Sequence, residues 1–385
     1  MNFDTYLPTQ FIFGSGRRQE IPKLVSGWGQ CAMLVNGHNP QRNEWLARQL
    51  SGAGFQICRA QIKGEPTVAV IEEAVRQARE FKVDFVVGVG GGAVIDAAKA
   101  IAGLIPNHGP ALDYLEVVGK GRPLVNPAKP WLAIPTTAGT GAEATRNAVL
   151  GVPEHKVKVS LRSPQLFARA AVIDPELTLD LPPLITATTG MDALTQLLEA
   201  YVCNRANPFT DALCAVGLPR AAQALPLAFA DGRNLEARTE LSLASWWSGI
   251  ALSQAGLGAV HGFAAPIGGG FPNAPHGGVC ASLLAPVMMA NIKALQSRSP
   301  EHPALERYRE IACWFTGNKF ATAKDGVNWV RALVKELKIP KLSSYGIAAN
   351  DHADLIAKAQ QASSMKPNPV QLTPDELEEI LVEAE

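Results

Sequence analysis

Residues 86–96, Val86-Val87-Gly88-Val89-Gly90-Gly91-Gly92-Ala93-Val94-Ile95-Asp96, decide the fold. The apolar β-type run DFVVGVG (84–90) passes through the glycines into AVIDAAKAIAGLI (93–105), which has helical periodicity. A buried strand that turns directly into a helix is half of a parallel β–α–β unit. Glycine admits positive φ and carries no Cβ, so backbone N–H groups here can approach a pyrophosphate closely. The positive end of the following helix dipole points to the same place. A tight structural turn would use the same residues, and the pattern is not the GxGxxG fingerprint.

Working outward, CAMLVN (31–36), FQICRA (55–60) and WLAIPT (131–136) read as strands. They alternate with the helical patterns QRNEWLARQLSGAG (41–54) and VAVIEEAVRQAREF (68–81). This alternation predicts an N-terminal α/β, Rossmann-like domain with a parallel nucleotide-binding sheet over residues 1–178. From about residue 180 the texture changes. TATTGMDALTQLLEAYVC, FTDALCAVGLPRAAQAL and LEARTELSLASWWSGIALSQ run at helical period, which predicts an all-α domain over 179–385. The Pro-containing stretch DPELTLDLPP (174–183) is the expected hinge. A second polar turn, Ile134 to Glu143, also follows a strand, and its Thr136, Thr137 and Thr140 could cap a helix or bind phosphate, ribose or adenine. Two such turns at one sheet edge mark the place where α/β folds bind ligands.

The 385 residues carry 35 Lys+Arg against 35 Asp+Glu, so the formal net charge is zero and there is no electrostatic footprint for nucleic acid or an anionic membrane. With 47% hydrophobic residues, dominant disorder is excluded. The opening MNFDTYLPTQFIFGSG lacks a basic segment followed by an apolar core, so no signal peptide is expected. Apolar stretches broken by Gly, Pro or charge short of about 18 residues predict no membrane span. Cys31, Cys58, Cys203, Cys214, Cys280 and Cys313 form no CxxC pair. They read as small core residues in a reducing compartment rather than as a disulfide frame or zinc cluster, and the cytoplasm is the expected address.

Asp192 and Gln196 lie at i and i+4 in a helical pattern and share one helix face. Val260-His261-Gly262 and Pro275-His276-Gly277 follow. A carboxylate and two histidines among glycines and apolar residues suit a buried metal, and they equally suit histidines hydrogen-bonded within a core. The pattern is neither a zinc finger nor HExxH.

Together these motifs resemble the iron-containing (group III) alcohol dehydrogenase family across essentially the whole chain. FIFGSG, VGVGGGAVIDAAKA, IPTTAGTGAEAT, IDPELT, GMDALTQLLEAY, the HG…PHG pair and Asn368-Pro369 occur in family order. The resemblance implies a dehydroquinate-synthase-like architecture, with a dinucleotide domain, a helical domain and a catalytic cleft between them. It implies that Gly90, Gly91, Gly92 and Asp96 form the pyrophosphate turn, that Thr136, Thr137 and Thr140 form the second nucleotide turn, and that Lys158 faces the nucleotide. Asn36 falls where the family often places the Asp that binds the ribose 2′-OH; the neutral amide removes repulsion of a 2′-phosphate, so NADP is an alternative to NAD.

Asp192, Gln196, His261 and His276 fall on the four metal-ligand positions, for Fe2+ or alternatively Zn2+. Three departures stand out. Gln196 replaces the usual histidine, Ala265 replaces a histidine near the nicotinamide, and the interval from His261 to His276 is one residue longer than in the family. The implied activity is hydride transfer between a small alcohol or aldehyde and NAD(P), with Asp192, His261 and His276 as the catalytic set, in a homodimer. The alternatives are a metal-independent reductase resembling maleylacetate reductase, a lyase resembling dehydroquinate synthase, and a non-catalytic nucleotide sensor.

Overall fold

The computed structural model describes residues 2–385, which form two compact units. One comprises Tyr6–Thr137 with Ala142–Thr178; the other comprises Leu179–Glu385 with Ala138–Gly141 and the residues up to Thr5.

The first unit contains β1 (Gln10–Phe13), β2 (Cys31–Asn36), β3 (Gln56–Gln61), β4 (Phe85–Gly90), β5 (Trp131–Pro135), β6 (Asn147–Val152), β7 (Val157–Arg162) and β8 (Ala170–Ile173). Six of them make one parallel sheet in the order β1-β8-β5-β4-β2-β3, while β6 and β7 pair as a separate antiparallel ribbon. Its helices are α1 (Ile21–Val25), α2 (Glu44–Gly52), α3 (Val68–Glu80) and α4 (Gly92–Leu104). All six residues of β4 are buried, and its apolar side chains divide between two cores. Val86 packs with Met33, Val35 and Ala133 on the face covered by α3 and α4. Val87 and Val89 pack with Leu34, Leu132 and Ile134 on the face covered by α1 and α2. A sheet covered on both sides explains why its strands read as continuous apolar runs. Thr67 caps α3, its Oγ1 accepting from Val70 N at 3.4 Å.

The glycines of the turn after β4 serve a purpose other than positive φ. Gly88, Gly90, Gly91 and Gly92 are not among the positive-φ glycines of the described residues. A Cβ on Gly88 would lie 2.6 Å from the Ala98 Cβ, and one on Gly90 would lie 2.6 Å from the Val94 side chain. Missing side chains let α4 rest directly on β4, which keeps the helix N-terminus at the strand end.

The second unit contains α5 (Pro183–Val202), α6 (Pro208–Ala230), α7 (Leu235–Gln254), α8 (Ala259–Gly270), α9 (His276–Arg298), α10 (Pro303–Thr316), α11 (Ala323–Glu336), α12 (His352–Gln361) and α13 (Pro374–Ala384). They enclose a single core running from Met191 and Leu194 of α5 through Val279 and Leu283 of α9 to Leu381 of α13. The segment Ala138–Gly141 belongs here: Gly141 has φ 56° and sits so close to Gly249 that neither position has room for a Cβ. One expectation is corrected. Helices α6 and α9 are long and apolar enough to cross a membrane, because Pro219, Pro226 and Pro286 lie inside them without ending them. In α9, 78% of that apolar window is buried within the fold, against 44% in α6.

Candidate active site

Three helices of the second unit build a cluster of donor atoms. Asp192, Gln196 and Glu199 stand at i, i+4 and i+7 on one face of α5, all buried. His261 lies in the first turn of α8, and His276 opens α9 with Cys280 one turn later. Gly277 lets α9 begin against α5, since a Cβ there would collide with the Thr188 carbonyl.

Asp192 Oδ1 lies 3.3 Å from His261 Nε2 and 3.5 Å from His276 Nε2. The Cys280 Sγ lies 3.8 Å from both of those nitrogens. One ligand atom from each of Asp192, His261, His276 and Cys280 falls within 4.8 Å of every other. The Asp192 and His261 side chains are only 2% and 7% exposed, whereas His276 is 38% exposed, so the cluster reaches solvent on the His276 side.

The electrostatics of the cluster suit a dication. Burial pushes the Asp192 carboxyl up, but His276 and the His261 hydrogen bond outweigh it and hold the group below the ordinary carboxylate range. Burial works against charge on His276 as well, yet Cys280 and Asp192 raise it to about 9; His261 is also raised, well above its usual value. Burial raises the Cys280 thiol, and the two imidazoles overcome this and lower it. Positive charge on the imidazoles balances the two acidic donors, and a bound dication would take over that charge as Nε2 of each ring gives up its proton. An oxygen, two imidazole nitrogens and a sulfur fit a divalent transition metal such as zinc or iron.

A second layer orients the donors. Glu199 Oε2 accepts from His261 Nδ1 at 2.6 Å, and Glu199 Oε1 accepts from Val260 N at 2.7 Å. A carboxylate behind the imidazole fixes the proton on Nδ1 and leaves Nε2 with its lone pair. Asn368 Oδ1 accepts from Ala259 N at 3.1 Å, so two distant side chains satisfy the first N–H groups of α8. Asn368 is held in turn by Asn291, its Nδ2 donating to Asn291 Oδ1 at 2.8 Å. Gln196 is placed differently from a ligand: Ser248 Oγ donates to its Oε1 at 2.7 Å, and its Nε2 faces Asp192 Oδ2 at 3.5 Å.

Glu199 and Cys280 are missing from the sequence expectations. Glu199 was legible in principle as i+7 from Asp192. Cys280, expected to be a core residue, belongs to the cluster because it sits one helical turn beyond His276, a spacing that involves no second cysteine.

Several of the residues expected to bind a nucleotide lie at the carboxyl edge of the parallel sheet. Register sets Asn36 beside Val89 and Gly90 beside Pro135, and Thr136 N donates to Gly90 O at 2.9 Å. Gly91 lies against Thr137, which would stand 3.4 Å from a Cβ at that position. Gly91 caps α4 with no side-chain hydrogen bond, and its first turn has no acidic residue. Such a helix start can take an anion. Asn36 Oδ1 accepts from Asn43 Nδ2 at 3.1 Å.

Asp96 is engaged inside the fold, pairing with the buried Lys99 at 3.0 Å and accepting from Val149 N at 3.1 Å. Lys158 lies on β7 and pairs with Glu65 at 3.1 Å. Thr140 falls in the segment that belongs to the helical unit, apart from the unit of Thr136 and Thr137.

Comparison with known proteins shows the family. The model for iron-containing alcohol dehydrogenases matches residues 8–175, and that for the C-terminal part of the Fe-containing alcohol dehydrogenase family matches residues 186–384. Alcohol dehydrogenase 4 of Saccharomyces cerevisiae is 34% identical over 98% of this chain and 97% of its own length. An archaeal halo-thermophilic alcohol dehydrogenase from a Red Sea brine pool superposes with TM-score 0.92 at 27% identity, covering 100% of this chain and 99% of its own. Sulfoacetaldehyde reductase from Bifidobacterium kashiwanohense, solved in complex with NAD+, gives TM-score 0.87 at 26% identity over 100% and 99%. These relatives do not favour the metal-independent reductase.

Proposed function

The chain belongs to the iron-containing alcohol dehydrogenase family and is an NAD(P)-linked alcohol dehydrogenase; from that premise we propose that it interconverts a small primary alcohol and its aldehyde with NAD, using Fe2+ held by Asp192, His261 and His276 beside Gln196. Zinc is the second metal and NADP the second nucleotide. The observation that carries this reading is the convergence of one carboxylate and two imidazoles, with Glu199 behind His261.

A divalent ion bound there supplies Lewis acidity, lowering the pKa of an alcohol and stabilising negative charge on its oxygen. The chain's own residues do the rest. Glu199 keeps the His261 proton on Nδ1, so Nε2 stays available. The buried walls around Asp192 and His261 exclude water, which strengthens every charge interaction among the donors. Gly90, Gly91 and Gly92 with the start of α4 bind the pyrophosphate, and Thr136, Thr137, Thr140 and Lys158 contribute to the rest of the nucleotide. Asn36 takes the ribose 2′-OH through a neutral amide. Asp96 acts through Lys99 and Val149 to fix α4, as a positioning residue. With alanine at position 265, the imidazole that the resemblance places there is absent, and the solvent-exposed His276 side gives the alcohol proton its way out, through another group or directly to water. Six free cysteines, with no disulfide among the described residues, support a cytoplasmic address, and the family resemblance supports a homodimer.

The test is metal analysis of the purified full chain together with a screen of alcohols and aldehydes against both nucleotides, following reduced nicotinamide with and without chelator. Bound iron or zinc and chelator-sensitive turnover are expected. Full turnover in a metal-free, chelated protein would sink the metal's role. His261→Ala should abolish turnover while nucleotide binding persists.

A further inference from the structure

Gln196 stands where the family resemblance calls for a fourth ligand, and it is poorly turned for that duty. An amide ligates only through its oxygen, and this oxygen accepts from Ser248 at 2.7 Å. The nitrogen faces Asp192 Oδ2 at 3.5 Å; exchanging the two would set carbonyl lone pairs against the carboxylate. The cluster has another candidate. Cys280 is fully buried, and its sulfur is equidistant from His261 Nε2 and His276 Nε2 at 3.8 Å.

Simple geometry tests whether that sulfur sits at a ligand's place. With metal bonds of about 2.0–2.1 Å to nitrogen or oxygen and about 2.3 Å to sulfur, a tetrahedral set has N–O edges of about 3.3 Å and N–S edges of about 3.6 Å. The observed N–O separations are 3.3 and 3.5 Å, and both N–S separations are 3.8 Å. Four edges of the tetrahedron are therefore nearly formed by a cysteine, two histidines and an aspartate. Gln196 Oε1 is engaged by Ser248 at 2.7 Å instead.

We propose that the Cys280 thiolate, in place of the Gln196 amide, is the fourth protein ligand of the divalent ion held by Asp192, His261 and His276, and that it biases the site toward zinc. The proposal rests on the metal reading above and names the ligand set that this chain uses to realise it. Thiolates select zinc over harder choices. The thiol proton leaves to solvent as the metal binds. Four protein donors do not exclude substrate, because zinc expands to five ligands.

The experiment uses the full-length protein loaded with zinc or cobalt(II). X-ray absorption of the zinc form should show one sulfur neighbour at about 2.3 Å beside nitrogen and oxygen neighbours. The cobalt form should show a near-ultraviolet thiolate-to-cobalt charge-transfer band along with visible d–d bands. Cys280→Ser should lose the sulfur neighbour and the charge-transfer band while retaining one metal per chain, with zinc affinity lowered at least about tenfold. Gln196→Ala should keep both sulfur signals.

One metal bound per wild-type chain with nitrogen and oxygen neighbours only would overturn the proposal and leave the metal-dependent dehydrogenase standing. A charge-transfer band that survives Cys280→Ser would do the same. A wild-type chain that binds no metal would remove both readings together. The wild-type absorption measurement decides the ligand even if the serine variant does not fold.

Discussion

Glu199→Gln alters one atom and leaves the packing nearly unchanged, so it isolates what the carboxylate does. Two donors converge on it, Val260 N at 2.7 Å on Oε1 and His261 Nδ1 at 2.6 Å on Oε2. A glutamine offers one acceptor oxygen, so its NH2 must face one of these donors. If the oxygen stays with Val260, the imidazole must keep its proton on Nε2, which removes the lone pair a metal would need. If the oxygen stays with His261, the Val260 N–H is left unsatisfied within the first turn of α8. A hydrogen bond to a charged partner is worth about 1.5–3 kcal/mol, and a buried donor left unmade costs about 1–3 kcal/mol. Either route predicts a loss of metal affinity of roughly ten- to a hundredfold. The assay is competition with a calibrated chelator on the full chain, with the melting temperature of the metal-free variant as a folding control and nucleotide affinity as a second one. Nucleotide affinity should hold, because Glu199 is not part of the sheet unit. An unchanged fold with metal affinity within about twofold of wild type would refute the orienting role.

Other expectations can be checked on the same preparation. Asn36→Asp keeps an acceptor for Asn43 and adds a negative charge at the ribose position, so KM for NADP should rise about tenfold or more while KM for NAD holds; equal effects on both would remove Asn36 from the nucleotide site. Lys99→Ala leaves Asp96 buried without its cation and should lower unfolding free energy by about 3–5 kcal/mol in denaturant titration, and a change below about 1 kcal/mol would show that the pair contributes little. His352 is lowered by burial but raised overall by Glu378 at 2.7 Å and Glu385 at 2.6 Å. Its folded pKa lies above the unfolded value of about 6.5, so its contribution is complete below that pH and disappears as pH climbs through the folded pKa. Stability should therefore fall with rising alkalinity in wild type and less steeply in His352→Gln, and parallel pH profiles would remove the linkage.

The parallel sheet was legible wherever a strand was long and buried on both faces. The spans 31–36, 84–90 and 131–136 coincide with β2, β4 and β5 to within a residue or so, because an apolar run covered on two sides has no polar positions to blur it. What was not legible was short or half exposed. The four-residue β1 and β8 gain their place from pairing with each other across most of the first unit's sequence, a long-range contact with no local signature. The ribbon β6–β7 has mostly alternating half-buried residues and was obscured by its polar ones. Proline misled in the opposite direction, since Pro219, Pro226 and Pro286 sit inside long helices without ending them.

The site divides along a similar line, between residues that spacing on one element can join and residues that only packing can. Asp192 with Gln196 could be read from one helix, and the two histidines were visible because glycines flank them. Nothing in the local sequence says that His261 faces Asp192, since they belong to α8 and α5 and meet only because Glu199 and Asn368 hold the first N–H groups of α8 from outside. Cys280 shows the cost of reading residue types by habit. A cysteine without a CxxC partner reads as filler, yet a helix that opens on His276 carries position 280 back onto the same face one turn later. On the proposed ligand set, the imidazole that the resemblance expects on α5 at position 196 is answered by a sulfur on α9. A chain with histidine at position 196 should then no longer need Cys280. Gln196→His combined with Cys280→Ser should bind zinc more tightly than Cys280→Ser alone, and a double variant no better than the single one would break the link between the two positions.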